Sequence, residues 1–177
     1  GYGGHYQRMG LKGVGAELTA GPPPGMAPGS FDIVMSSEVI EHVPESPRAQ
    51  LAMLTPLAAA GGRLFVTTPN LASLRNILKL ALNRSIAHDP DRTFAPATID
   101  NEWVHRREYT SAEIEDAMRS VGVRPLRRTY CWYNRAAVPI PLRPLEVAVP
   151  RLRDCMIIEG RVTGHPTDGA ARGRGPR

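Results

Sequence analysis

Apolar residues in this chain fall into short runs separated by proline, glycine and polar segments, and their spacing sorts them into strands and helices. Phe31 to Ser37 (FDIVMSS) is an apolar run of strand length with β-branched content. Pro47 to Ala60 places Leu51, Leu54, Leu57 and Ala58 at helical spacing. Pro56 should kink or shorten this helix, and Gly61-Gly62 should end it. Arg63 to Thr68 (RLFVTT) is a second strand, stopped by Pro69-Asn70. Leu71 to Leu82 is expected to be an amphipathic helix, with Leu71, Leu74, Leu78, Ala81 and Leu82 on one face. A polar loop runs from Asn83 to about Val104. Thr110 or Ser111 then caps a further helix, with Glu113 at the capping-box position and Ile114, Ala117, Met118 and Val121 as its buried stripe. Gly122 ends it.

Val123 to Tyr133 and Cys155 to Val162 are the last strands, and the proline-rich segment between them, Ala137 to Pro150, is expected to be an irregular loop. Leu18 to Ser30 is a proline- and glycine-rich linker that excludes a helix or a central strand. Residues 164–177 have nothing to bury and are expected to be a disordered tail. The order of elements predicts an α/β fold in residues 1–163, with a mainly parallel sheet and helices on its faces. The last two strands, lacking a clear helix between them, are expected to pair antiparallel at the edge.

Composition adds limits. A chain of 177 residues with 42% hydrophobic residues has room for one core. The net charge of +5 comes with no dense basic run, so the arginines belong to a solvated surface and a nucleic-acid partner is not expected. Cys131 and Cys155 are distant in sequence and form no Cys-x-x-Cys pair, which suggests neither a disulfide framework nor a zinc knuckle. No apolar run approaches the roughly 20 residues of a membrane span. The first residues lack the apolar centre of a signal peptide. A cytoplasmic location is expected.

In an open α/β sheet, ligands bind beyond the carboxyl ends of the strands. The residues there are Ser36 to His42 and Thr67 to Asn70. Glu38, Glu41 and His42 are spaced to share one face if a helical turn begins at Glu38. Two carboxylates and an imidazole so placed can ligate magnesium, manganese or zinc, or supply a general base. Equally, Glu41 and His42 can simply cap and orient the turn.

FDIVMSSEVIEHV, a helix, GGRLFVTTPN and then HRREYTSAEIEDAMRSVGV resemble the later half of class I S-adenosylmethionine-dependent methyltransferases. The pattern is most similar to the branch that includes the ubiquinone-pathway O-methyltransferases. It covers Ser30 to Val123 and extends to Val162. The resemblance implies a Rossmann-like, mostly parallel sheet with one antiparallel strand at its edge. It places Ser36, Ser37 and Glu38 on the methyl-donor side of the cleft. It makes Glu38, Glu41 and His42 a divalent-metal set near the acceptor oxygen, with Glu41 and His42 catalytic. Leu71 to Val104 takes the place of a variable lid over the pocket for a small-molecule acceptor, and His105 to Tyr109 leads into a structural helix.

The amino-terminal half departs from the family. Glu17 matches the acidic residue that binds both ribose hydroxyls of the donor, and Gly1 and Gly3 match a remnant of the glycine-rich loop. The helix and strand that should follow are replaced by the Leu18–Ser30 linker, so this half looks incomplete. Ala60 stands where the family usually has proline. Two readings result. One is an O-methyltransferase that uses S-adenosylmethionine on a small hydroxylated acceptor. The other is a methyltransferase-like module or fragment that has lost donor binding. A nucleic-acid-binding domain is a weaker third reading, resting on net charge alone.

Overall fold

A computed structural model describes residues 8–10, 25–87, 91, 104–133 and 138–163. The expectations for Gly1, Gly3, Glu17, the first part of the linker, much of the lid and the tail fall outside these residues. The elements run β1 (Phe31–Ser37), α1 (Pro47–Leu54), β2 (Ala58–Pro69), α2 (Leu74–Ala81), α3 (Ser111–Ser120), β3 (Val123–Cys131), α4 (Arg143–Ala148) and β4 (Cys155–Val162). No described helix is long and apolar enough to cross a membrane.

The strands form one sheet in the order β1-β2-β4-β3. As expected, β1 and β2 are adjacent and parallel, with Val34 opposite Leu64 and Ser36 opposite Val66. A helix-bearing crossover returns the chain to the same end of the sheet, which is what parallel pairing requires. Among the described strands β4 alone is reversed, antiparallel to both β2 and β3. It lies between them, so β3 forms one edge and β1 the other edge of the described sheet.

Four elements differ from their sequence expectations. Helix α1 stops at Leu54, because Pro56 cannot donate to the helical ladder and Thr55–Leu57 tightens into a 3-10 turn. Thr55 Oγ1 caps the end by donating to the Leu51 carbonyl at 2.7 Å. From Ala58 the chain is already extended, so Leu57 and Ala58 are buried as predicted but not as helix. Strand β2 therefore contains Gly61-Gly62. Gly61 has a φ of +79°, and a Cβ on Gly62 would lie 2.8 Å from the Ala59 carbonyl oxygen. Helix α2 begins at Leu74 because Ser73 is its cap, accepting from the Asn76 N–H at 3.3 Å. Helix α4 occupies the segment expected to be irregular: Pro144 sits in its first turn, where a missing N–H costs no hydrogen bond.

The core joins one face of the sheet to α1 and α3, through Val34, Leu51, Leu64, Val66, Ile114, Met118, Met156 and Ile158. Helix α3 carries the expected capping box between Thr110 and Glu113. On β1 the alternation is clean: Val34 and Ser36 are buried, whereas Ile33 and Met35 are exposed.

Candidate active site

Strand β1 ends at Ser37, and Glu38 takes the next step with a φ of +51°, a left-handed conformation uncommon outside glycine. The neighbouring strand holds it there. The Glu38 N–H donates to the Thr67 carbonyl at 3.0 Å, and Thr67 Oγ1 donates to Glu38 Oε1 at 2.7 Å. The chain then turns tightly, with the His42 N–H bonded to the Val39 carbonyl at 3.0 Å. The fully buried Ile40 anchors this turn in the core. Glu41 and His42 are thereby fixed at the carboxyl ends of β1 and β2.

The Glu41 carboxylate is buried. Its Oε2 accepts a 2.9 Å hydrogen bond from Thr68 Oγ1, while Oε1 has no hydrogen-bond partner. Its backbone carbonyl accepts from the Arg106 N–H at 2.7 Å, which draws the 104–108 segment onto the turn. Burial pushes the Glu41 carboxyl above its usual range, and the nearby Glu38 charge acts in the same direction.

His42 Nδ1 lies 3.3 Å from the Val104 carbonyl oxygen. A carbonyl only accepts, so this bond places the proton of the neutral ring on Nδ1 and the lone pair on Nε2. Nε2 is 3.7 Å from Glu41 Oε1. The His105 ring stands edge-on to His42, with centroids 4.8 Å apart. Its Nδ1 is 3.7 Å from Glu108 Oε1. The other Glu108 oxygen accepts a 2.6 Å bond from Asn76 Nδ2. The Glu108 carboxylate raises the His105 pKa against the opposing effect of burial. Burial raises the Glu108 pKa in turn, but the nearby His105 ring and the bond from Asn76 outweigh it and leave the carboxyl below its usual range.

These groups line a cleft of 310 Å³, together with Glu38, Arg75 and Cys155. That volume is at the small end of the range for ligand pockets, about 300–1,000 Å³. Ligating atoms of Glu41, His42 and His105 all lie within 4.8 Å of one another. The structure thus unites Glu41 and His42 as the spacing predicts, and exchanges the third member. Glu38 lines the same cleft, but its carboxylate is bonded to Thr67 and it is not part of that group. His105 takes its place. Ser36 is buried with its hydroxyl lacking a hydrogen-bond partner, whereas Ser37 is exposed at the strand end, 3.2 Å from Thr67 Oγ1. Sequence reasoning missed His105, Glu108 and Asn76 as site residues. The one available signal was the spacing of His105 and Glu108 just ahead of a capping box, and nothing in it points to β1.

A parallel β1-β2 pair, a reversed strand between β2 and β3, and a polar cleft at the strands' carboxyl ends define the fold of class I S-adenosylmethionine-dependent methyltransferases. Solved structures agree. An S-adenosylmethionine-dependent methyltransferase from Thermotoga maritima matches with a TM-score of 0.59 at 12% identity, over 90% of this chain and 68% of its own. The 1,6-didemethyltoxoflavin-N1-methyltransferase of Burkholderia thailandensis, solved with its substrate and S-adenosylhomocysteine, matches with a TM-score of 0.51 at 16% identity, over 92% of this chain and 56% of its own. Among curated proteins, the ubiquinone biosynthesis O-methyltransferase of Methylococcus capsulatus is 36% identical over 66 residues, which are 37% of this chain. The match spans 27% of that relative's length. No protein-family profile matches the chain.

Proposed function

We propose that this protein is an S-adenosylmethionine-dependent methyltransferase acting on a hydroxyl of a small-molecule acceptor bound in the cleft beyond β1 and β2. The observation that supports this most directly is the buried Glu41 carboxylate, whose Oε1 lacks a hydrogen-bond partner and lies 3.7 Å from His42 Nε2. Such a pair is built to take up a proton.

The bound donor would supply an electrophilic sulfonium methyl. In the transfer, the bond from the acceptor oxygen to the methyl carbon forms as the carbon–sulfur bond breaks, and the hydroxyl proton must leave. His42 Nε2 accepts that proton, Val104 holds the tautomer through Nδ1, and Glu41 stabilises the imidazolium. The remaining work is placement of the acceptor in line with the methyl group. Ser37 and Glu38, at the end of β1, would face the donor, and Ser36 supports them from inside the sheet. On the sequence resemblance, Gly1, Gly3 and Glu17 complete the donor site.

A divalent cation is the alternative to His42 acting as the base, since Nε2 cannot both ligate an ion and take up the proton. Glu41, His42 and His105 offer one oxygen and two nitrogen ligands, a set that suits zinc or manganese better than magnesium. The partnerless Glu41 Oε1 is the atom that fits a cation. Bound there, the ion would polarise the acceptor oxygen.

Calorimetric titration with S-adenosylmethionine is the first test, followed by turnover on hydroxylated acceptors with and without a chelator. Donor binding that weakens about tenfold or more in Glu17→Ala is expected, since ribose hydroxyls left unpaired cost roughly 1–3 kcal/mol each. Absence of donor binding by the wild-type chain would leave the non-catalytic module as the reading.

A further inference from the structure

Cys131 and Cys155, distant in sequence, are direct cross-strand partners: Cys131 is the last residue of β3, Cys155 the first of β4, and they stand opposite each other in the ladder. Opposed residues in an antiparallel pair have Cα atoms about 4.5–5.5 Å apart and side chains on the same face. A disulfide needs a Cα separation of roughly 4.4–6.8 Å, so either kind of antiparallel pair meets its main requirement. A position at the strand ends leaves the backbone room for the remaining adjustment. Both cysteines are free thiols, Cys131 half-buried and Cys155 buried. Cys155 also lines the cleft, and its Sγ donates to Glu38 Oε1 at 3.8 Å.

We propose that Cys131 and Cys155 form a reversible disulfide, a redox modification site in the wall of the cleft. The proposal stands on the strand register and does not depend on the methyltransferase reading. The oxidant is a small disulfide such as glutathione disulfide. Cys131, the more exposed thiol, loses its proton and attacks one sulfur of the oxidant, and one glutathione leaves. The Cys155 sulfur then loses its proton and attacks the Cys131 sulfur of the mixed disulfide, expelling the second glutathione. Two protein thiols are oxidised, one glutathione disulfide is reduced, and the two protons end on the released glutathiones. Burial and the Glu38 charge raise the Cys155 pKa, so Cys155 is the slower nucleophile and suits the second, intramolecular step.

Closing this bond has two consequences. Glu38 loses the S–H that Cys155 gives it. The segment from Trp132 to Asp154, which brings Tyr133 and Asp154 to the cleft, becomes a covalent loop. That segment is already gathered at its base: the Arg153 guanidinium lies 4.0 Å over the Trp132 ring and donates to the Tyr130 carbonyl at 2.9 Å.

The test is equilibration of the whole protein with glutathione buffers of increasing oxidised fraction, followed by thiol titration and non-reducing peptide mass analysis. The expected result is loss of both of its 2 thiols, a peptide pair joined through Cys131 and Cys155, and full recovery with dithiothreitol. In Cys131→Ser, Cys155 should keep its free thiol in the same buffers. A glutathione adduct that persists on Cys131 while Cys155 stays reduced would overturn the proposal. So would a cross-link found only between chains on a non-reducing gel. The wild-type protein alone gives both readouts, so the proposal stays open to refutation even where the variant fails to fold.

Discussion

The Thr68 hydroxyl donates a 2.9 Å hydrogen bond to Oε2 of the buried Glu41 carboxylate. Strand β2 thus grips the side chain of the turn that follows β1. One carboxylate oxygen is occupied structurally, and the other is left beside His42.

Glu41→Gln should separate stability from chemistry. Burial raises the Glu41 pKa above its usual 4.5, so ionisation favours the unfolded chain. The penalty is absent well below that value, grows as pH climbs through the folded pKa, and is complete above it. Glutamine keeps the shape and can keep the Thr68 bond without ionising. The variant should therefore melt higher than wild type at about pH 8, and the difference should vanish near pH 4. Turnover should fall because the imidazolium loses its partner. A variant that melts lower at high pH would show that the Glu41 charge is compensated in the folded protein.

His42→Ala should lower kcat by about 10²–10⁴-fold, the usual contribution of a positioned general base. Donor affinity, read by calorimetry, should change little, because the ring works on the acceptor side. A parallel loss of donor affinity and melting temperature would assign His42 to structure.

The His105–Glu108 pair has its own pH window. The raised His105 pKa gives stability that is complete below 6.5 and lost as pH rises through the folded value. The lowered Glu108 pKa gives stability that is complete above 4.5 and lost as pH falls through its folded value. Both hold together between these limits. Glu108→Gln should cost most there and little near pH 9, as followed by melting temperature. A cost that does not vary with pH would place the loss in the Asn76 contact.

Thr110→Ala should destabilise the protein by about 1 kcal/mol in urea unfolding, the typical value of an N-cap. Thr110 Oγ1 accepts from the Glu113 N–H at 3.3 Å, and Glu113 Oε2 accepts from the Thr110 N–H at 2.9 Å. Thr110→Ser keeps the oxygen and should recover most of the loss. Equal losses in both variants would mean that the methyl group's packing matters more than the cap.

Local signals were readable where one physical cause dominates. Strands β1 and β4 occupy the residues their apolar runs mark, and the Thr110–Glu113 box starts α3 where its spacing says. The reading failed where two causes compete. Leu57 and Ala58 satisfy a helical period through burial alone, while Pro56 dictates the backbone, so β2 begins several residues earlier than expected. Pro144 marks a helix start in α4, not a loop, because proline is tolerated in a first turn. In the site, Glu41 and His42 were legible because they are neighbours on one turn. His105 was not, because its place beside His42 is set by the Arg106 N–H bonding the Glu41 carbonyl, a contact with no local signature. The Cys131–Cys155 pairing was hidden for the same reason, since strand register is a tertiary property.

Strand β4 lies between β2 and β3, yet it follows both of them in the chain. A growing chain can pair β1 with β2 early, but β3 has no edge to join until Val162 has cleared the exit tunnel. The Asn70 side chain waits equally, since both carbonyls that accept from its Nδ2 belong to Arg151 and Arg153. Cys155 reaches the cleft wall in the same final step. The cleft wall is thus completed only once β4 is in place, and a translation product stalled before β4 has a partial sheet without a closed cleft.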